Sequence, residues 1–159
     1  MLLGEIMFEQ RLQKLRHILY DYDIEGYIIP STDPYQNEYP PEGYQRLKWL
    51  TGFSGSMGLT IILGDRAAFF TDGRYMLQAR NEIDTAAYEI FNIKDKKPWE
   101  WLSNNEINIG YDPMLHIKEQ ISGYAKSTPV EFNLIDRLWY ERPQLRSSKI
   151  MLHQLKFAG

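Results

Sequence analysis

Two short apolar runs separated by three turn residues constrain the fold of this chain more than any other feature. The runs are residues 59–63 and 67–70, and Gly64, Asp65 and Arg66 stand between them. β-Branched and aromatic residues favour strands, and a three-residue connection that contains glycine is typical of a β-hairpin. The sequence therefore predicts two neighbouring antiparallel strands in the middle of the chain, around which the other elements must be arranged.

Helical and strand patterns alternate on both sides of this hairpin. From Phe8 to Tyr22 apolar residues recur in steps of three and four, which indicates an amphipathic helix that ends before Gly26. Such alternation is typical of helices packed on both faces of a sheet. We therefore predict an α/β fold, a three-layer αβα domain with a mixed β-sheet that contains one hairpin. Further strands are predicted at 27–29, 88–93, 107–111 and 129–132, and further helices at 46–50, 74–82, 98–102, 113–126 and 135–139.

The length of 159 residues accommodates one domain. We place this domain at residues 8–143, after a disordered or extended N-terminus at residues 1–7. The periodic pattern ends after Arg142 and Pro143, so residues 144–159 are predicted to be a linker and the start of a second domain that is absent.

Composition and charge exclude several classes of function. The 18 basic and 21 acidic residues give a net charge of −3 without a basic run, which argues against a nucleic-acid surface. No apolar stretch reaches the roughly 18 residues that a membrane helix needs. The absence of cysteine excludes a disulfide framework, thiol catalysis and cysteine-built metal sites, and it is compatible with a cytoplasmic location.

A glycine-rich stretch, GFSGSMG at residues 52–58, invites two enzymatic interpretations. A dinucleotide fingerprint requires G-x-G-x-x-G directly after a strand, whereas this G-x-x-G-x-x-G follows a predicted helix. A nucleophile elbow around Ser54 requires G-x-S-x-G, but Ser56 occupies the place of the second glycine. We favour a structural role, in which the glycines permit positive φ angles and close backbone packing before the hairpin.

Patterns that would hold a metal ion are sparse. The histidines are isolated and lack the spacing of a helical zinc site, and His17 fits a structural or exposed role on the first helix. Three aspartates follow predicted strands, where α/β proteins place functional groups, but each also fits a turn or helix cap. For Asp72 and Asp112 we favour capping. The residues considered are His17, His116 and His153, together with Asp33, Asp72 and Asp112.

Arg74 stands at the start of a predicted helix, where a positive charge has the wrong sign for the helix dipole. The position therefore suggests a specific partner. That partner is either Glu38 or another carboxylate of the irregular loop at 31–43, or an anionic or carbonyl group of a ligand. Composition alone leaves an ion pair that ties down the loop and a ligand-binding role equally open.

Four runs of the sequence resemble the N-terminal domain of the Xaa-Pro aminopeptidase P family. They resemble the long, three-domain cytosolic type in particular, within the wider creatinase/prolidase N-terminal domain group. The resemblance covers about residues 8–143, with the four runs in the expected order. They are PSTDPYQNEY at 30–39, LTGFSGSMG at 50–58, TDGRYMLQA at 71–79 and NLIDRLWYERP at 133–143.

The resemblance implies a fold with a ribonuclease H-like motif and a parent metallopeptidase that removes an N-terminal residue preceding proline. In that family two divalent metal ions, usually manganese, are held by two Asp, one His and two Glu of a C-terminal domain. None of those ligand motifs occurs in this chain, so the resemblance implies that the chain itself is inactive and holds no cofactor or metal.

The resemblance also implies a role for the domain. It would cap the active-site mouth, contribute to a homodimer in the cytoplasm, and place Arg74 nearest a proline-containing peptide. Glu38 would bind the free amine of the peptide or position Arg74. Two other interpretations stay open, a stand-alone, non-catalytic protein-binding or assembly domain and a hydrolase that acts through Ser54.

Overall fold

The computed structural model describes residues 3–31, 45–102, 109–111 and 127–129, the last of these in backbone only. The predicted helices at 113–126 and 135–139 and the segment 144–159 lie outside the described residues. The helices are α1 (Leu3–Asp21), α2 (Arg46–Thr51), α3 (Met76–Glu82) and α4 (Pro98–Leu102), and a 3₁₀ turn at Gly73–Tyr75 precedes α3. The strands are β1 (Gly26–Pro30), β2 (Leu59–Leu63), β3 (Ala67–Thr71), β4 (Glu89–Asn92), β5 (Ile109–Tyr111) and β6 (Ser127–Pro129).

The six described strands form one mixed sheet in the order β4-β3-β2-β1-β5-β6. Strand β2 is antiparallel to β1 and β3, whereas the pairs β3–β4, β1–β5 and β5–β6 are parallel. The backbone N–H of Leu63 donates to the carbonyl of Arg66 at 2.7 Å and closes the turn between β2 and β3. The predicted hairpin is therefore confirmed, and the sheet order is consistent with the ribonuclease H-like motif.

Helices cover both faces of the sheet. Because side chains alternate along a strand, β1 presents Tyr27 and Ile29 to one face and Ile28 to the other. The first face packs against α1, α2 and α3, and the second packs against α4 through Trp101. This arrangement confirms the predicted three-layer αβα architecture. The first core includes Leu12, Leu15, Leu47, Leu50, Phe69 and Ala79, and the second includes Ile61, Ala68, Phe70 and Leu102.

The first helix begins earlier than its apolar periodicity predicts. Residues 3–7 belong to α1, although we expected residues 1–7 to be disordered or extended. Leu3 is 86% exposed, and Ile6 and Met7 also lie at the surface. This first turn and a half therefore continues the helix by backbone hydrogen bonding, which adds one bond for each residue fixed and needs no core contact.

Strand β6 begins earlier than predicted and overlaps the predicted strand at 129–132 only at Pro129. Among the helices of the described residues, none is long and apolar enough to cross a bilayer.

Candidate functional site

The candidate site lies at the edge of the sheet where β1 and β3 end and β2 begins. Strands β1 and β3 run in the same direction, because each is antiparallel to β2 between them. The first residue of β2, Leu59, lies opposite Pro30, the last residue of β1, and opposite Phe70, the residue before the last of β3. Carboxyl ends of parallel strands are where α/β proteins place functional groups. We call the polar residues at this edge, Ser31, Ser56, Asp72, Arg74 and Tyr75, the carboxyl-end cluster.

Asp72 holds the turn that carries Arg74. Its carboxylate accepts the backbone N–H of Arg74 at 2.9 Å, so the predicted capping role is confirmed. The same carboxylate accepts Nη2 of Arg74 at 2.8 Å and Nε at 3.2 Å. These side-chain hydrogen bonds from Arg74 hold the pKa of Asp72 below its ordinary value. Asp72 thereby offsets the unfavourable position of a cation at the start of a helix.

The guanidinium of Arg74 also lies against the ring of Tyr75, with Cζ 5.3 Å from the ring centroid. The side chain of Arg74 remains 74% exposed, although one carboxylate and one aromatic ring contact it. The hydroxyl of Tyr75 lies 2.6 Å from Oγ of Ser56, and either oxygen can donate. The carboxyl-end cluster therefore exposes the positive charge of Arg74 to solvent, while contacts within the cluster hold the side chains next to it.

Ser31 connects the end of β1 to the glycine-rich loop at 52–58. Its backbone N–H donates to the carbonyl of Gly58 at 2.9 Å, and its Oγ accepts the N–H of Gly58 at 3.1 Å. The hydroxyl of Ser31 donates to the carbonyl of Ser56 at 3.3 Å. These bonds fix the end of β1 to the glycine-rich loop. Glu38 itself lies outside the described residues.

The glycines of this loop have structural roles, as expected. Gly52 adopts a φ of 81° and ends α2, where its N–H donates to the carbonyl of Lys48 at 2.8 Å. A Cβ at Gly58 would lie 2.6 Å from Cζ of Phe69, so only glycine fits against that ring. The loop also runs from a helix into a strand, which is the reverse of the strand-to-helix order that a dinucleotide fingerprint requires.

Ser54 is bonded in a way that differs from a nucleophile elbow. Its hydroxyl donates to Oε1 of Glu82 at 2.6 Å and accepts Nε2 of Gln78 at 2.9 Å. Its backbone N–H donates to Oε2 of Glu82 at 2.9 Å. These bonds join the loop to α3, and in the part of the chain that the structure describes no histidine contacts Ser54.

Residue types that bind metals are dispersed. Across residues 3–31, 45–102 and 109–111 no group of three His, Asp or Glu side chains could hold a metal ion. His17 is 76% exposed and lies 3.8 Å from Asp21 on the same helix, in agreement with the role expected for it. Four residues considered in the sequence, Asp33, Asp112, His116 and His153, lie outside the described residues.

The predicted site residues have different outcomes. The structure places Arg74 at the edge of the sheet, where Asp72 is a carboxylate partner among the described residues. Sequence reasoning missed the support of Arg74 by Tyr75 and Ser56. The short spacing between Asp72 and Arg74 is a local signal for their pairing. Ser56 and Tyr75 are 19 residues apart, so no local pattern indicated their hydrogen bond.

The family model described as the creatinase/prolidase N-terminal domain matches residues 11–137. A protein of Ajellomyces capsulatus named "Probable Xaa-Pro aminopeptidase P" is 34% identical over 171 aligned positions, covering 99% of this chain and 28% of that protein. Aminopeptidase P2 of Arabidopsis thaliana is 31% identical, covering 98% of this chain and 24% of that protein. The chain thus spans about a quarter of the length of these curated relatives.

Solved structures agree with this match. A cytosolic X-prolyl aminopeptidase of Caenorhabditis elegans, described with a di-nuclear active site, superposes with a TM-score of 0.72 at 28% identity. That superposition covers 86% of this chain and 26% of the nematode chain. The N-terminal domain of the cytoplasmic peptidase PepQ from Mycobacterium tuberculosis shares the fold with a TM-score of 0.62 at 18% identity, covering 81% of this chain and 98% of that domain. The chain belongs to the creatinase/prolidase N-terminal domain family.

Proposed function

We propose that this chain is the non-catalytic N-terminal domain of a Xaa-Pro aminopeptidase, a metal-dependent hydrolase that releases the residue before proline. The observation that carries the proposal is the extent of the match. The relatives align with 98–99% of this chain, whereas the chain accounts for only 24–28% of their length. The proposed domain comprises residues 8–143, and residues 144–159 are the proposed linker and the start of a second domain.

In this proposal the domain caps the active site and binds the peptide through Arg74. Three features support the assignment of Arg74, namely its exposure, its place at the strand-end edge, and its anchoring by Asp72. A planar guanidinium suits the carbonyl and carboxylate groups of a peptide. Glu38, which lies outside the described residues, would bind the peptide amine or position Arg74.

The proposed chemistry lies outside this domain. The described residues do not fit a metal site, so we assign the two divalent metal ions, manganese by proposal, to the catalytic domain. The di-nuclear site described for the nematode enzyme supports this assignment, and its cytosolic description supports a cytoplasmic location. Further proposed partners are a proline-containing peptide and, through dimer assembly, a second copy of the full-length protein.

The test is kinetic and uses the full-length protein that contains this domain. We expect Arg74→Ala to lower kcat/KM for a Xaa-Pro peptide by about 10- to 100-fold, the effect of losing a charged hydrogen bond. The bound metal, measured by elemental analysis, should stay unchanged. Arg66→Ala is the matched control, because Arg66 is also an exposed arginine paired with a carboxylate but lies at the opposite end of β3. Unaltered kinetics of Arg74→Ala would contradict the proposal.

A second experiment tests whether the domain is inactive by itself. We expect this chain, supplied with manganese, to leave a Xaa-Pro peptide intact under conditions in which the full-length protein hydrolyses it. Turnover by the chain alone would overturn the assignment of catalysis to another domain. Labelling of Ser54 by a serine-hydrolase probe would revive the interpretation of Ser54 as a nucleophile.

A stand-alone binding or assembly domain is the second candidate function. Transcript sequencing separates the two candidates. A reading frame that continues past Gly159 into a segment with Asp, His and Glu metal ligands supports the aminopeptidase, and a natural stop codon there supports the binding domain.

A further inference from the structure

The ring of Tyr75 is held on three sides by the glycine-rich loop at 52–58. Its hydroxyl is hydrogen-bonded to Ser56, and the ring of Phe53 meets it edge-on, with centroids 6.0 Å apart and an interplanar angle of 86°. The backbone of Gly55 passes so close that an added Cβ would lie 3.0 Å from Cδ1 of Tyr75. A side chain fixed in this way has little rotamer freedom left.

Phe53 is itself anchored in the core. It is 1% exposed and packs against Phe69 of β3, with ring centroids 4.8 Å apart. A continuous set of contacts therefore runs from Phe69 on the buried face of the sheet, through Phe53, to the ring of Tyr75 and fixes its position. The loop is attached to the end of β1 as well, through the bonds of Ser31 to Ser56 and Gly58.

Arg74 rests on this fixed ring. The carboxylate of Asp72 restrains Nε and Nη2, and the ring of Tyr75 lies 5.3 Å from Cζ. One contact fixes the plane of the guanidinium and the other limits its rotation about the side-chain bonds. The bonds between Ser54, Gln78 and Glu82 also hold the glycine-rich loop on α3, but they do not touch Arg74 or Tyr75.

We infer that Tyr75 and Ser56 are positioning residues for Arg74, and that the glycine-rich loop serves to hold the Arg74 guanidinium at the angle needed for the peptide. The inference rests on the proposed function, in which Arg74 binds the substrate. It gives the loop at 52–58 a role in specificity in addition to its packing. Pre-organisation of this kind lowers the entropy that a flexible arginine would lose on binding.

The first experiment uses this chain alone and needs no substrate. We expect the heteronuclear NOE of the Arg74 Nε–Hε group, measured by ¹⁵N NMR, to fall in Tyr75→Phe and in Ser56→Ala. The Nε of Arg66 is an internal control, because it is bonded to Glu89 at the other end of β3. Ser54→Ala is the matched loop variant, and it should leave the Arg74 signal unchanged.

The second experiment measures steady-state kinetics of the same variants in the full-length protein. Loss of one hydrogen bond corresponds to roughly a three- to tenfold change in an equilibrium constant, so we expect KM to rise by about that factor with kcat nearly constant. The double variant Tyr75→Phe/Ser56→Ala should be no worse than either single variant, because both remove the same bond. Ser54→Ala should change thermal stability but not KM.

The outcomes separate this inference from the proposed function. If Arg74→Ala leaves kinetics unaltered, the proposed function fails whatever the NMR result. If Arg74→Ala lowers kcat/KM while Tyr75→Phe and Ser56→Ala change neither the Arg74 signal nor KM, the positioning role is wrong and the proposed function stands. A lower heteronuclear NOE of Arg74 in these variants with an unchanged KM would also overturn the inference, because it would show that fixing Arg74 does not affect substrate binding.

Discussion

The two ends of strand β3 each carry an arginine paired with a carboxylate, and the two pairs are built differently. Before the strand, Arg66 donates Nη2 to Oε2 of Glu89 at 2.8 Å and Nε at 3.2 Å. Its guanidinium also lies 4.9 Å from the ring centroid of Trp101, whose Nε1 donates to the same carboxylate at 3.2 Å. After the strand, Arg74 pairs with Asp72, which is only two residues away.

The difference is in how far along the chain the partners lie. Glu89 is 23 residues from Arg66, so that pair joins the hairpin turn to β4 and, through Trp101, to α4. The pair of Asp72 and Arg74 spans two residues and closes a single turn. An ion pair that links distant elements contributes to tertiary stability, whereas a local pair on an exposed arginine orients a side chain. We therefore expect substitution of Arg66 to change the stability of the fold, and substitution of Arg74 to change peptide binding.

The largest expected effect is an exception to this division, because it is a loss of stability at the end of β3 that carries Arg74. Gly55→Ala should lower the free energy of unfolding by about 1–3 kcal/mol, the usual cost of overpacking, because the new Cβ would collide with the ring of Phe53. Gly64→Ala is the control in the hairpin turn, where a Cβ meets no atom within 4 Å. Urea unfolding of the two variants measures the difference. Equal stabilities would show that the loop yields easily and does not hold Tyr75.

The next effect belongs to the first end, where Tyr88 lies just before β4. Burial raises the pKa of its phenol well above the ordinary value of 10, and within the described residues its hydroxyl has no hydrogen-bond partner. Above pH 10 the unfolded chain loses this proton and the folded chain keeps it, so stability should fall by about 1.4 kcal/mol per pH unit.

Tyr88→Phe isolates this contribution from the other groups that titrate at alkaline pH. The variant should be at least as stable as the wild type in urea unfolding at pH 7, because a buried hydroxyl that has no partner among the described residues loses its hydrogen bonds to water on folding. At pH 11 it should be the more stable of the two. A parallel decline of both proteins between pH 9 and pH 11 would show that the phenol ionises as readily in the folded state.

A smaller effect compares the two arginines directly. Arg66→Ala should lower the free energy of unfolding by about 1 kcal/mol, since its ion pair with Glu89 and its cation–π contact with Trp101 join the hairpin turn to β4 and α4. Arg74→Ala should stay within about 0.5 kcal/mol of the wild type, as most exposed substitutions do. Thermal unfolding of both variants at one salt concentration measures the contrast. A reversed order would refute the division of roles between the two ends.

The smallest effect is on Asp72. Because hydrogen bonds from Arg74 lower the pKa of Asp72, its carboxylate contributes to the folded state at neutral pH, and this contribution is lost as the pH falls through the lowered pKa. A ¹³C NMR titration should place the midpoint below 3.8 in the wild type and closer to 3.8 in Arg74→Ala. Identical midpoints would show that the pair does not persist in solution.

Much of the fold could be predicted because its signals are local. The turn at Gly64, Asp65 and Arg66 specifies the hairpin, and Asp72 is recognisable as a cap because it directly precedes the 3₁₀ turn that it begins. Other features have no local signal. Arg46 is 1% exposed at the start of α2, and no pattern in the sequence indicated a buried arginine there. The position of β4 beside β3, rather than at the other side of the sheet, also has no signature in either strand.

By itself, the sequence determined the elements, the caps and, through four motifs, the family of this protein. These depend on residues within a few positions of one another. Only the tertiary structure decided that Arg74 is supported by a tyrosine bonded to a serine 19 residues away, and that Arg66 reaches Glu89. Such partners depend on strand order and register, and a shift of one residue would turn every side chain of a strand to the opposite face. That dependence cannot be read from residue types, because it is set by how the whole sheet packs.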